Sequence, residues 1–300
     1  MRIVVLGGGG LIGHKLFQIL GERFGDVHAV LHGHRNAYSA NGLFECRHVV
    51  ERVDVQDFDL LRGVLTALAP DVVLNCAGIT KRRPEINDPL EAIPVNALFP
   101  HRLAAWASEN GVRLVHFSTD CVFDGNDGPY TESSPTTAKD SYGRTKAMGE
   151  IDYGPGLTIR SSFIGRELAM GSELLEWFLA QDGQAIKGFD EVYYSGVSTP
   201  VMARIVGDIL AYHPNIEGLY QLAMPTPISK YDLLCLARDA FGVNVEIRRD
   251  TEVVSRPILD GSRLRKALNL ALPSWPEMMA ELASEQGLYG ASAVNERGRA

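Results

Sequence analysis

Short apolar runs broken by glycines and polar residues set the rhythm of this 300-residue chain. Arg2 to Leu6 reads as a strand and Gly7 to Gly10 as a turn, while Leu11, Ile12, Leu16, Ile19 and Leu20 recur at the spacing of one helix face. Further strands are predicted at Val27 to Leu31, Val49 to Val53, Val72 to Leu74, Val112 to Phe117 and Leu157 to Ile159. Helical patterns lie between most of them, at Leu60 to Leu68, Ala97 to Ala107 and Lys139 to Ile151. Strands alternating with helices predict an α/β fold, a doubly wound parallel (Rossmann) sheet.

Past Arg160 the pattern loosens, and Gly and Pro punctuate shorter elements. Helices are expected near Glu173 to Ala180, Pro200 to Ala211, Lys230 to Phe241 and Ser262 to Leu268. This part reads as a smaller C-terminal substrate-binding lobe. The predicted boundaries are 1–160 for a dinucleotide-binding domain that also takes in about 199–215, 161–286 for the interleaved lobe, and 287–300 for a flexible tail.

Composition narrows the function. Lys and Arg number 29 against 37 Asp and Glu, a net charge of -8, so no global basic field exists to hold nucleic acid or an anionic membrane. Any anionic ligand must be met by local cations. Cys46, Cys76, Cys121 and Cys235 form no CxxC pair, which argues for a reducing compartment, the cytoplasm, and against a metal site. His28, His32, His34 and His48 cluster in one stretch, but no carboxylate or cysteine completes a ligand set. The apolar run Ile3 to Leu6 is too short for a signal peptide, and nothing approaches the roughly 18 to 20 apolar residues of a membrane span.

Gly7, Gly10 and Gly13 stand between the first strand and the first helix as G-x-x-G-x-x-G. Glycine suits a tight turn, close approach of a pyrophosphate to the backbone, and close helix-strand packing. The helix N-terminus, with Leu11 and Ile12, then offers free N–H groups and a positive dipole end to phosphate. An acid closing the second strand would favour NAD, but His32, Gly33, His34 and Arg35 stand there. Arg35 and His34 therefore point to the 2′-phosphate of NADPH, with NADH as the other candidate. Asp54 and Val55 after the third strand suit the adenine, and the small residues Cys76, Ala77 and Gly78 after the fourth suit a nicotinamide ribose.

Tyr142 and Lys146 are spaced Y-x-x-x-K, which puts a phenol and an ammonium on one helical face. The ammonium is expected to lower the tyrosine pKa towards the range of a proton shuttle. Thr119 follows the strand that ends in Phe117-Ser118, at the carboxyl edge of the sheet, where it can hydrogen-bond the carbonyl oxygen that Tyr142 protonates. Lys81, Arg82 and Arg83 hang over the same edge, readable either as a clamp for an anionic diphosphate or as a solvated loop. Arg166, Lys187 and Arg256 are further diphosphate candidates, expected to be exposed. Trp177 and Phe178 read as core.

In this order these segments resemble an extended short-chain dehydrogenase/reductase, most closely the dTDP-4-dehydrorhamnose reductase branch of sugar-nucleotide reductases. The resemblance rests on the glycine turn, Asn75-Cys76-Ala77-Gly78, Val95-Asn96-Ala97, Ser118-Thr119-Asp120-Cys121-Val122-Phe123-Asp124-Gly125 with Gly128-Pro129-Tyr130-x-Glu132, and Tyr142-x-x-x-Lys146-x-x-Gly149-Glu150. Weaker echoes are Arg160-Ser161-Ser162 and Arg256-Pro257. It implies Tyr142 as general acid, Lys146 as its partner and ribose ligand, Thr119 as orienting hydroxyl, Asn96 beside the cofactor, and Asp120, Cys121 and Val122 beside the sugar. The implied substrate is a nucleotide-diphosphate sugar carrying a 4-keto group, and a homodimer fits the family's habit. Cys121, where such reductases usually carry tyrosine, and the cationic segment Thr80 to Pro84 point to a substrate related to, but other than, the rhamnose precursor. A nucleotide-sugar epimerase and a noncatalytic NADP-binding regulatory subunit remain the alternatives.

Overall fold

The computed structural model describes residues 1–45, 48–169 and 171–289; Cys46 and the part of the expected tail beyond residue 289 lie outside these. The first strand β1 (Ile3–Leu6) runs through the glycine turn into helix α1 (Gly13–Phe24). Then follow β2 (Val27–Val30), β3 (Val49–Val50), α2 (Phe58–Leu68), β4 (Val72–Asn75), and a short helix α3 (Pro89–Ala92) that passes through a π-helical segment, Ile93–Leu98, into α4 (Phe99–Glu109). After β5 (Arg113–Ser118), α5 (Ser141–Met148) and β6 (Gly156–Arg160) come the small elements of the second lobe: β7 (Phe163–Ile164), α6 (Leu174–Leu179), β8 (Ala185–Phe189), β9 (Tyr193–Tyr194) and β10 (Val197–Ser198). The described chain closes with α7 (Thr199–Tyr212), β11 (Gly218–Gln221), β12 (Ile228–Ser229), α8 (Lys230–Phe241), β13 (Glu246–Asp250), α9 (Ser262–Leu268), α10 (Trp275–Ser284) and α11 (Gln286–Tyr289).

Seven parallel strands pair in the order β11-β6-β5-β4-β1-β2-β3. Side chains alternate across the sheet as strand geometry requires. Ile3, Val5, Val72 and Leu74 pack against α1 and α7 on one face, and Val4, Leu6 and Val73 against α2 and α4 on the other. The order reverses between β1 and β4, so the crevice beyond their carboxyl ends is where ligands of such sheets bind. Register brings Leu6 opposite Asn75, Asn75 opposite His116, and Ser118 opposite Arg160, which aligns the strand ends along that crevice.

The seventh strand β11 lies outside the predicted return segment 199–215. It is four residues long, mostly half-buried and paired on one side only, so it carries little hydrophobic signal. The β8–β13 pair was equally silent in the sequence, because its strands are exposed and charged, with Lys187 bonded to Asp250 (2.7 Å) and Arg249 to Asp190 (2.6 Å). Residues 287–289, expected to begin the tail, instead complete a helical turn against α1. There His14 lies between the Gly10 carbonyl oxygen (Nδ1, 2.8 Å) and the Tyr289 hydroxyl (Nε2, 2.9 Å). Burial pulls the His14 pKa down to about 4, so the ring is neutral. Beside it the fully buried Lys15 ammonium reaches Glu285 at 3.0 Å.

Candidate active site

A cleft of about 700 Å³ opens along the carboxyl ends of β1, β4 and β5 and is also lined by residues of the second lobe. One end is the start of α1, with Gly10, Leu11 and Ile12; one wall is Cys76, Ala77 and Gly78; the other end holds Thr119, Tyr142 and Lys146 with Asp120, Cys121, Lys81 and Arg82. Steric demand explains the first glycine. Gly7 has a φ of +71°, and a Cβ there would lie 2.9 Å from the Ala77 nitrogen.

Asp140 caps α5, its carboxylate accepting from the Gly143 N–H at 2.8 Å and from Lys81 Nζ at 2.7 Å. A Cβ at Gly143 would stand 2.1 Å from the Cys121 carbonyl oxygen, so only glycine lets α5 press onto the turn after β5. That contact brings Tyr142 into the same cleft wall as Thr119. The Thr119 hydroxyl in turn donates to the Asp120 carboxylate (3.1 Å) and accepts from the Cys121 N–H (3.1 Å).

Lys146 is buried and donates to the Phe117 carbonyl oxygen at 2.7 Å, with His116 Nε2 at 3.5 Å. Burial lowers its pKa to about 8, against the Glu150 charge that raises it. The expectation that Lys146 lowers the Tyr142 pKa is corrected. Burial, joined by Cys121, Asp120 and Glu173, pushes the phenol above its ordinary value, with the neighbouring Thr119 hydroxyl opposing in part. With the ammonium turned to the Phe117 carbonyl, Tyr142 is a neutral phenol that holds its proton. Burial also pushes the Cys121 thiol up, to about 12.

Below this floor a buried ion pair fixes the turn after β5. Arg160 donates to Glu150 through Nε (2.8 Å) and Nη2 (2.6 Å), Ser118 donates to the same carboxylate (2.6 Å), and the guanidinium lies 4.9 Å from the centre of the Phe123 ring. Phe123 stacks on Tyr130, whose hydroxyl donates to Asp124 at 3.2 Å. Much of the S-T-D-x-V-F-D-G and G-P-Y block is therefore scaffold.

Other predicted residues lie off the cleft surface. Gly13 opens α1 close against the Gly7 carbonyl oxygen. Asn96 clamps the loop after β4, accepting from the Ile79 N–H (2.8 Å) and donating to the Ile79 carbonyl (2.9 Å). Val122 is buried with Phe123 and Tyr130. Asp54 accepts from the Gln56 N–H within its own turn (2.9 Å), Val55 packs on the α2 side of the core, and the Arg83 N–H donates to the Thr80 carbonyl at 3.1 Å. His34 and Arg35 follow β2 as expected, but Glu51 stands beside them: Arg35 Nε donates to it and His34 Nδ1 lies 3.3 Å away.

Arg166 departs from its expected exposure. It is 3% exposed, its Nε donates to Glu176, and its guanidinium sits 4.8 Å from the Tyr289 ring centre, because the aromatic groups of two helices enclose it. Arg256 remains half-exposed, bonded to Glu191 at 2.6 Å, and Lys187 is exposed. Trp177 and Phe178 pack in the core, as read.

The cleft also contains Glu173, Tyr193, Tyr194 and Lys230, which sequence reasoning did not single out. Lys230 had a faint signal: a lysine directly after the capping Ser229 puts a cation at the positive end of a helix, an unfavourable place without another reason. Burial lowers its pKa, while Asp120 and Cys121 pull the other way.

Comparison with known proteins agrees with this architecture. The chain is 27% identical over 89% of its length to methionine adenosyltransferase 2 subunit beta of Pongo abelii, covering 79% of that protein. It is 28% identical over 73% of its length to dTDP-4-dehydrorhamnose reductase of Salmonella typhimurium, covering 82% of it. The fold matches the crystal structure of dTDP-4-dehydrorhamnose reductase from Bacillus anthracis in complex with NADP with a TM-score of 0.76, at 19% identity, over 95% of this chain and 99% of that one. The RmlD substrate binding domain family matches residues 1–286, so the chain, with its parallel sheet and its cleft at the strand ends, belongs to that family.

Proposed function

We propose that the protein reduces the 4-keto group of a nucleotide-linked 6-deoxy sugar with a reduced nicotinamide dinucleotide, in the making of deoxysugar precursors. The observation that carries this reading is the joining, in one cleft, of the α1 N-terminus with Thr119, Tyr142 and Lys146. The residues fit a dinucleotide. Gly10, Leu11 and Ile12 would hold its pyrophosphate, Cys76, Ala77 and Gly78 would flank its ribose, and Lys146 would meet the ribose hydroxyls. When bound, it supplies the hydride.

Tyr142, kept neutral by burial, gives its proton to the oxygen of the substrate carbonyl as negative charge develops there. Thr119 orients that oxygen, and Asp120 holds the Thr119 hydroxyl. Lys81 and Arg82 at the cleft mouth, joined by Lys230, offer positive charge to the substrate diphosphate. NADPH is the preferred donor on this reading, through Arg35 and His34, although a 2′-phosphate must compete with Glu51 for Arg35. Exposed apolar side chains on α3 to α5, Leu90, Leu98 and Met148, support pairing of two copies, and free thiols at Cys76, Cys121 and Cys235 suit the cytoplasm.

The similarity to a methionine adenosyltransferase subunit favours a second reading, a noncatalytic partner that binds cofactor without turnover. One experiment separates them: the protein with NADPH or NADH and 4-keto-6-deoxy sugars linked to dTDP, UDP, GDP or CDP, followed by loss of reduced-nicotinamide absorbance. Oxidation that falls about 10²- to 10⁴-fold in Tyr142→Phe supports the reductase. Cofactor binding with no oxidation on any substrate supports the noncatalytic reading.

A further inference from the structure

A line of buried polar side chains leads from the end of β4 to Lys146. Register sets Asn75 of β4 beside His116 of β5, and both side chains are buried. Asn75 Oδ1 accepts from the Ala77 N–H at 3.2 Å. A backbone N–H can only donate, so the other end of the amide is its NH₂. That NH₂ faces His116 Nδ1 at 3.1 Å, which makes Nδ1 an acceptor. Burial keeps the His116 ring uncharged, and Lys146 and His101 also oppose its protonation. A neutral imidazole carries one proton, and with Nδ1 accepting, that proton sits on Nε2.

His116 Nε2 lies 3.5 Å from Lys146 Nζ, and Nζ itself donates to the Phe117 carbonyl oxygen at 2.7 Å. An ammonium has only hydrogens to present, so the Nε2–H meets it donor to donor, whereas an amine has a lone pair that accepts. The other tautomer would do the reverse and offer its lone pair to the ammonium. Burial of Lys146 acts in the same direction as the Nε2–H, but its ionisable neighbours do not. Glu150, just after α5, and Cys76, at the end of β4, both act towards the ammonium, and the Cys76 thiol is itself kept protonated by burial. Tyr142, one turn before Lys146 on α5, is the neutral phenol described above.

We infer that His116 is a positioning residue that weakens the hold of Lys146 on its proton, through an Nε2–H that Asn75 fixes in place. The charge on Lys146 then changes within reach of neutral pH, which gives the proposed reduction, on which this role rests, a basic limit. Nitrogen NMR of isotope-labelled wild type, with His116 assigned by the signals lost in His116→Phe, should show Nε2 protonated and Nδ1 bare. A proton on Nδ1, alone or with one on Nε2, overturns the inference. Carbon NMR of lysine-labelled protein, assigned by Lys146→Arg, should show Lys146 titrating at about 8 in wild type. The midpoint should rise by about one unit, a tenfold tighter proton, in His116→Phe and in Asn75→Ala, and in the latter the ring proton should move to Nδ1. An unchanged midpoint in His116→Phe overturns the inference, as does a rise in Asn75→Ala with the proton still on Nε2, since water entry then accounts for it. Turnover is read separately. The basic limb of kcat/KM for NADPH-dependent reduction should move up with the Lys146 midpoint in His116→Phe, and a limb left in place, even with a lower plateau, overturns the positioning role. The NMR results without turnover on any sugar uphold the pairing of His116 with Lys146 and remove the reduction.

Discussion

Replacing Glu150 by glutamine tests the floor of the site. The Glu150 carboxylate accepts three hydrogen bonds at 2.6 to 2.8 Å, two from Arg160 and one from Ser118, and the side chains are 10% and 2% exposed for Glu150 and Arg160. Glutamine keeps the shape but offers one acceptor oxygen and turns an NH₂ towards guanidinium donors. Removing one member of a buried ion pair costs about 3–5 kcal/mol, because the other charge is left in a low dielectric. Against a total stability of about 5–15 kcal/mol this is a large share, and at about 2–4 °C per kcal/mol the Tm should fall by roughly 6–20 °C. Urea unfolding should show the midpoint falling at constant m. Glu150→Leu with Arg160→Met should recover most of the loss, since an apolar pair leaves no orphaned charge. A loss below about 1 kcal/mol in Glu150→Gln would refute the reasoning, for it would mean that the pair behaves as an exposed one.

Three further outcomes are expected. Lys146 has a folded pKa near 8 against an ordinary 10.5, so between those values the unfolded chain binds the extra proton and stability rises with pH; Lys146→Met should flatten that rise in urea titrations from pH 8 to 10.5. Glu51→Gln removes the carboxylate that competes for Arg35 and should raise the ratio of kcat/KM for NADPH over NADH by about tenfold, and an unchanged ratio removes Arg35 from cofactor choice. Gly143→Ala, whose Cβ would meet the Cys121 carbonyl at 2.1 Å, should cost activity by displacing Tyr142 while circular dichroism stays native.

The strands of the sheet and the catalytic spacing were legible because each rests on local pattern. Buried parallel strands are continuous apolar runs, and Tyr142 and Lys146 lie one helical turn apart. What the sequence hid depends on distant partners. The Glu51 carboxylate that holds Arg35 stands sixteen residues further on, in another strand's surroundings, and nothing near Arg35 in the sequence announces it. Arg166 looked exposed until Glu176 and Tyr289 closed over it. The direction of the Tyr142 pKa followed from burial under the second lobe, which no spacing in the helix encodes. Lys230 and Tyr194 come from that lobe, where two-residue strands leave almost no periodicity to read.

The contact of α11 with α1 also bears on synthesis. Lys15 is made 270 residues before the carboxylate of Glu285 that neutralises it, and His14 275 residues before its Tyr289 partner. While the chain emerges at about 5–20 residues per second, the phosphate-binding helix carries a charge it cannot bury for tens of seconds. The glycine turn should therefore lock last, and proteases should cut near it in nascent chains that stop before Glu285 but spare it in those that pass Tyr289.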